Sequence, residues 1–379
     1  MRFLNILILT ALLFTLACAS KDKYEPPTVR MVQPQQPEIV AEFQQRPGNP
    51  AVTPDGRMIV SMQPIDSPEI KVVEVLSDGT TRPFPNEKWA TAVDEDGIGM
   101  QAVIGVVADT NGMVWMLDMG GDGQAPKLVG WDTNTDTLYK TIVFPESVSK
   151  PNSFHQDVAI DTERNMAYVA DMTRGDLLGD SSPAILVIDI ETEEVRRVLE
   201  GNPNFAPGTD PVVINGNTFA TKTDEGVIPI FLGLNPITID PENEWVYFGS
   251  INGTGLFRIQ ASALADSSLS DEQLSAMIEP YGEKRSSDGI SVDSSGNVYI
   301  TDIQNNAIGV ANPEGYQILV QDNELLLWPD GLAFGPNGWL YATVNQLNLH
   351  PALNSGVDAG QPPYYLVRVR PLSPGQVGR

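Results

Sequence analysis

Two Asp-Gly pairs, Asp288-Gly289 and Asp330-Gly331, each stand inside a short apolar stretch that runs into a turn. Each aspartate lies five residues before the position where its stretch ends, Asp293 and Gly335. The same offset in similar stretches picks out Gly48, Ile104, Gln156 and Asn235. If these six positions face one another, four polar side chains converge, two of them carboxylates. Such a set suits a hard cation such as Ca2+, with Asp288, Asp330 and Asn235 as ligands, or the polar groups of a small organic molecule. The competing reading is local: each aspartate caps its own Asp-Gly turn through side-chain to backbone hydrogen bonds.

Other chemistry is scarce. The chain has two histidines, His155 and His350, and one cysteine, Cys18, so a zinc site built from His and Cys is nearly excluded. His155 precedes Gln156 and is the histidine placed for proton transfer, with a structural hydrogen-bonding role as the alternative. The catalytic candidates are therefore Asp288, Asp330 and His155. A ligand at the same place is expected to meet Gln156, Asn235, Asn252, Asp288, Asn305, Asp330 and Asn345. Phe154 and Trp328 each stand two residues before a converging position and could hold a cation over an aromatic face or pack in a core. The glycine-rich "DMGGDGQAP" has no helix start after it and reads as a loop, not a phosphate cradle.

Six copies of one pattern position these residues: "AVTPDGRMIVSM", "GVVADTNGMVWMLDMG", "DVAIDTERNMAYVADM", "PITIDPENEWVYFGSI", "GISVDSSGNVYITD" and "GLAFGPNGWLYATVN". Each is a short apolar strand, a turn of Asp, Asn, Gly or Pro chemistry, and a second strand rich in Val, Ile, Tyr or Trp. Further strands lie between copies, which predicts four-stranded blades and an all-β, six-bladed β-propeller. "EIVAEFQQ" is expected to close the ring by pairing with "YYLVRVR". "ASALADSSLSDEQLSAM" reads as a short helix on a loop between blades, and the insertion from Asp176 to Leu234 as a lengthened loop over one face. The acids at the ends of second strands, Asp118, Asp171 and Asp302, are expected to bond backbone amides between blades.

The formal charge of −26 argues against nucleic-acid partners and suits a soluble, exported protein. Arg2 and the apolar run "FLNILILTALLFTLA" read as a signal peptide over residues 1–17. "TLAC" resembles a bacterial lipobox, which implies acylation of Cys18 and a membrane-anchored lipoprotein of the bacterial cell envelope. Residues 18–37 then form the lipidated cysteine and a Pro/Gln-rich tether, 38–371 the propeller and 372–379 a C-terminal tail. A monomer is expected.

Four segments, "VWMLDMG", "DVAIDTERNMAYVADM" with "AILVIDIETEEVRRVL", "SSDGISVDSSGNVYITDIQNNAI" and "WPDGLAFGPNGWLYATVNQLN", resemble the Yellow / major royal jelly protein family, including its bacterial dopachrome-tautomerase-related members. The resemblance implies the same six-bladed fold. Its functional implications diverge: an amine-binding branch, an isomerase of the dopachrome tautomerase type, or other small-ligand carriers. The likeness to gluconolactonase-type metal hydrolases is architectural, since Gly48 and Ile104 stand where those enzymes carry an early glutamate. Three functions are carried forward: recognition of a small organic ligand at the channel, catalysis by tautomerisation or metal-assisted lactone hydrolysis, and a protein-interaction scaffold using the insertion.

Overall fold

A computed structural model of the chain describes residues 30–31 and 35–378. The expected signal peptide and the expected acylation site, Cys18, lie outside the described residues. Six four-stranded antiparallel sheets follow one another around a ring. Their innermost strands are Pro47–Val52, Val103–Ala108, His155–Asp161, Leu234–Ile239, Ser287–Val292 and Pro329–Phe334, which define blades 1 to 6. Glu38–Phe43 forms the outer strand of blade 6, antiparallel to Tyr364–Val369, so the expected closure is present. Arg368 and Glu38 meet across that seam at 2.7 Å. Within the expected tether, Arg30–Met31 pairs in parallel with Gly315–Gln321 at the outer edge of blade 5.

Blades 2 to 5 carry an acid at the end of the inner strand, and it has a local duty. One oxygen of Asp293 accepts from the backbone N–H of Ser295 and Asn297, and the other accepts from the Tyr299 hydroxyl at 2.8 Å. Asp109 does the same for Asn111, Met113 and the Trp115 indole, and Asp161 for Glu163, Arg164 and Tyr168. An Asx turn and an aromatic on the second strand are thus one device, which is why they recur together. Apolar side chains from facing blades fill the spaces between neighbours, as where Tyr168, Ile185 and Val187 of blade 3 meet Ile237, Val246 and Phe248 of blade 4.

Two expectations are corrected. Residues 261–277 form two short helices, Ala261–Ala265 and Asp271–Ala276, between the third and fourth strands of blade 4 rather than between blades. Asp118, Asp171 and Asp302 do bond backbone amides, but those of their own blade. Asp118 takes Ala102 and Gly120, Asp171 takes Phe154 and Thr173, and Asp302 takes Gln304 and Asn305.

The insertion after blade 3 folds as two small hairpins, Val213–Ile214 with Asn217–Thr218 and Ala220–Thr223 with Gly226–Pro229. Ala220 bonds Leu353 and Ser355 of the loop in blade 6, which joins the two long loops into one cover over the channel mouth. At the opposite face the tail is ordered. Ser294 bonds the carbonyl of Pro374, Val377 is buried between blades 1 and 2, and Gly378 lines the lower channel.

Candidate functional site

Every inner strand breaks register with its partner at one place: between Pro47 and Pro50, Val103 and Val106, His155 and Asp157, Leu234 and Ile237, Ser287 and Ile290, and Pro329 and Leu332. The six converging positions read from the sequence all fall inside these bulges. A bulge re-aims a side chain, and here it helps set the ring at the channel mouth. Second-strand hydroxyls fill the gap: Thr301 accepts from the N–H of Asp288 and Gly289, and Thr343 from that of Gly331. The glycines admit the neighbouring strand, since a Cβ on Gly289 would lie 2.3 Å from the Asp330 carbonyl oxygen and one on Gly331 2.6 Å from Pro50.

Neither ring aspartate caps its own turn. Asp288 accepts from the Asn235 amide at 2.9 Å and from the Trp328 indole at 2.8 Å. Asp330 accepts from Gln63 at 3.1 Å and from Asn345. A third acid, Asp157, accepts from Asn49 at 3.3 Å, a bond that joins blade 3 to blade 1. The side-chain donors to all three are neutral amides and an indole, with no ammonium or guanidinium among them. Burial therefore dominates and pushes each carboxyl up, Asp157 to about 7 with help from the charge of Asp288. Asp330 is also raised well above the usual carboxylate range, because burial is joined by repulsion from Asp288 and Asp157. Beside them, the side-chain oxygens of Gln156 and Asn235 are buried with no protein partner.

Above this polar layer lies a cavity of about 400 Å3. Asp288, Gln63 and Gln156 supply polar groups toward the channel. Phe154, Phe219, Trp328, Met172, Leu232 and Ile251 are among the apolar lining residues, and Arg174 and Asp176 come from the loop that follows blade 3's second strand. The insertion, through Phe219 and Leu232, is thus a cavity wall. Below the layer, the channel narrows to a space of about 30 Å3 that ends at Gly378. No group of three His, Cys, Asp or Glu able to hold a metal occurs among the described residues.

Of the residues expected at the site, Gln156 and Asp288 line the cavity, and Asn235, Asp330 and Asn345 join the hydrogen-bonded layer that includes its floor. Three do not belong. Asn252 bonds Ile230 and Leu232 and braces the wall from behind. Asn305 bonds Asp302 in the next turn of blade 5. His155 points between blades, against Phe144, with Ser149 at 3.1 Å from Nε2. Its Nδ1 is 3.9 Å from Asp171, too far to bond, and burial holds the ring below its usual basicity. In a strand, the neighbour of an inward residue points the other way, which is why His155 and Gln156 separate. Gln63, Asp157, Phe219 and Arg174 were missed. Asp157 follows Gln156 in the same bulge and Gln63 follows the end of blade 1's second strand, so the repeat alignment carried a signal for both.

The family model described as Major royal jelly protein matches residues 101–361. No curated protein sequence matches the chain. Among solved structures, a luciferin-regenerating enzyme superposes with a TM-score of 0.55 at 14% identity, over 91% of this chain and all of that one. Regucalcin, a calcium-binding protein from Agrobacterium tumefaciens, gives 0.55 at 14% identity, over 90% and 98% of the two chains. A putative gluconolactonase gives 0.53 at 14%, over 88% and 92%. At such identity these likenesses show the shared propeller fold.

Proposed function

The chain belongs to the major royal jelly protein family, and we propose that it binds a small organic ligand with an aromatic or apolar body and a cationic or hydrogen-donating head. One observation carries this reading: an apolar cavity that holds a buried carboxyl, Asp288, whose side-chain donors are the neutral Asn235 amide and Trp328 indole, and a buried acceptor, the Gln156 oxygen, with no partner among the described residues. Phe154, Phe219 and Trp328 offer ring faces to the body of the ligand. A cationic head lets Asp288 ionise by replacing the lost water with a direct charge partner, and the Gln156 oxygen takes a further N–H. Calorimetry with 2-phenylethylamine and with 2-phenylethanol tests it. The amine binds more tightly, and Asp288→Asn removes the difference. Binding of neither compound, or equal binding of both, sinks the reading.

The same oxygens support a second reading, in which catalysis accompanies binding. The Asn235 and Gln156 oxygens and the Asp288 and Asp330 carboxylates are hard donors of the kind Ca2+ takes, and the two unpartnered amide oxygens fit that role. A cation held there would polarise a substrate carbonyl for lactone hydrolysis. Without one, Asp288 or Asp330 would move the proton in a tautomerisation; burial raises both carboxyls, Asp288 to about 6. Metal content by mass spectrometry on protein lacking residues 1–18 tests the hydrolase form: near-stoichiometric calcium, lost in Asp330→Ala, supports it, and metal-free parent protein ends it.

Export and acylation at Cys18 are part of the proposal, supported by Arg2 and the apolar run "FLNILILTALLFTLA" for export and by "TLAC" for acylation. Labelling of cells with a fatty-acid analogue should mark the protein, and Cys18→Ser should abolish the mark.

A further inference from the structure

We infer that the ligand is bipolar, carrying an anionic group that meets Arg174 as well as the head that meets Asp288. This deepens the binding reading above and rests on it. Basic residues are scarce, 23 against 49 acids, yet one of them lines the cavity and makes no ion pair among the described residues. Its guanidinium is held from two sides, Nε donating to the Gly179 carbonyl at 2.8 Å and Nη1 to the Phe231 carbonyl at 2.5 Å. Both partners are neutral, so the positive charge has its orientation set and no anion to match it.

The backbone that presents Arg174 is itself unusual. Thr173 and Arg174 both adopt φ of 55°, and Leu177 adopts 68°. A β-branched residue such as Thr173 in the left-handed region is a conformational outlier, and with Arg174 beside it in the same region the turn needs outside support. Asp171 supplies it by accepting from the Thr173 N–H at 3.0 Å, and the Thr173 hydroxyl accepts from Ser182 N–H at 3.0 Å. The loop therefore holds a costly conformation that places a fixed arginine in the wall of an apolar cavity. Asp176, the lining acid nearest to it along the chain, accepts from the Gly179 N–H. Asp288 sits on an inner strand within the channel and Arg174 on the covering loop, so a ligand that serves both carries its charges at separate ends of one body.

The test uses 4-(aminomethyl)phenylacetic acid beside its methyl ester, which keeps the amine and the ring but has no anion. Calorimetry on the parent protein should show the acid binding roughly tenfold or more tightly than the ester, the size expected of a charge-assisted contact. In Arg174→Gln the acid should lose most of its advantage over the ester, and Arg174→Lys should restore part of the difference. Equal affinity of acid and ester in the parent protein overturns the bipolar ligand and leaves the amine site standing. An equal loss of both in Arg174→Gln makes the arginine a wall support only, which also overturns the inference. Binding of neither compound overturns this inference together with the reading beneath it.

Discussion

Asp171 and Asp288 are both aspartates on strands next to the channel, and both are almost fully buried, at 0% and 4% exposure. They live in opposite conditions. Burial works against the charge of Asp171, but His155, the Ser153 hydroxyl and the Arg197 guanidinium outweigh it, and its pKa falls below the usual range. Two backbone N–H groups complete its shell. Asp288 has only neutral side chains from other blades, and its pKa rises. Burial alone therefore does not mark a functional acid. What separates the two is whether the groups around the carboxyl were supplied to satisfy it or leave room for something else to do so.

The largest effect should come from breaking the satisfied member. Asp171→Ala takes from the buried Arg197 its closest carboxylate, leaving the half-buried Glu200 at 3.2 Å, and removes the support of the Thr173 turn, so a loss of roughly 3 kcal/mol in unfolding free energy is expected from urea titration. Gly289→Ala should cost about 2–3 kcal/mol, because the new Cβ collides with the Asp330 carbonyl and spreads blades 5 and 6. Near-native stability in that variant would mean that the inner strands tolerate separation.

Asp288→Asn should do the reverse of Asp171→Ala. It removes an acid that burial disfavours, so stability at pH 7 should hold or rise by about 1 kcal/mol while amine affinity falls. A marked loss of stability would place Asp288 with the structural acids and erase the comparison. The last test is in pH dependence. Asp157 is raised to about 7, so between roughly pH 4 and 7 the folded chain holds a proton that the unfolded chain has lost. Stability from this group is full below about pH 4 and declines as the pH rises to 7. Asp157→Asn should flatten that slope in thermal unfolding measured across the range.

The blades were legible because their signals are local. In blade 5, Asp293, Asn297 and Tyr299 lie within six residues, and one carboxylate serves both the turn and the aromatic. The ring positions were legible by a step further, since a constant offset within a repeat puts equivalent residues at equivalent depth. That step found Gln156, Asn235, Asp288 and Asp330, whereas Asn252 and Asn305, expected as neighbours of the ring, lie outside the repeated hairpins and point elsewhere. The insertion was recognised as a cover, yet nothing in its residues announced that Phe219 would face Trp328 at 5.4 Å between ring centres.

The chain by itself determined the repeat, the number of blades and the strand that closes them, because alternating apolar residues and Asx turns act over a few positions. The ring then decided who meets whom. Asn235 reaches Asp288 across 53 residues and Gln63 reaches Asp330 across 267. Such encounters follow from closing six sheets into a circle, where burial withdraws water from three acids at once and so raises their pKa values. The charge state of the site, the amide oxygens left without partners and the arginine at its wall belong to that closure, and no window of sequence contains them.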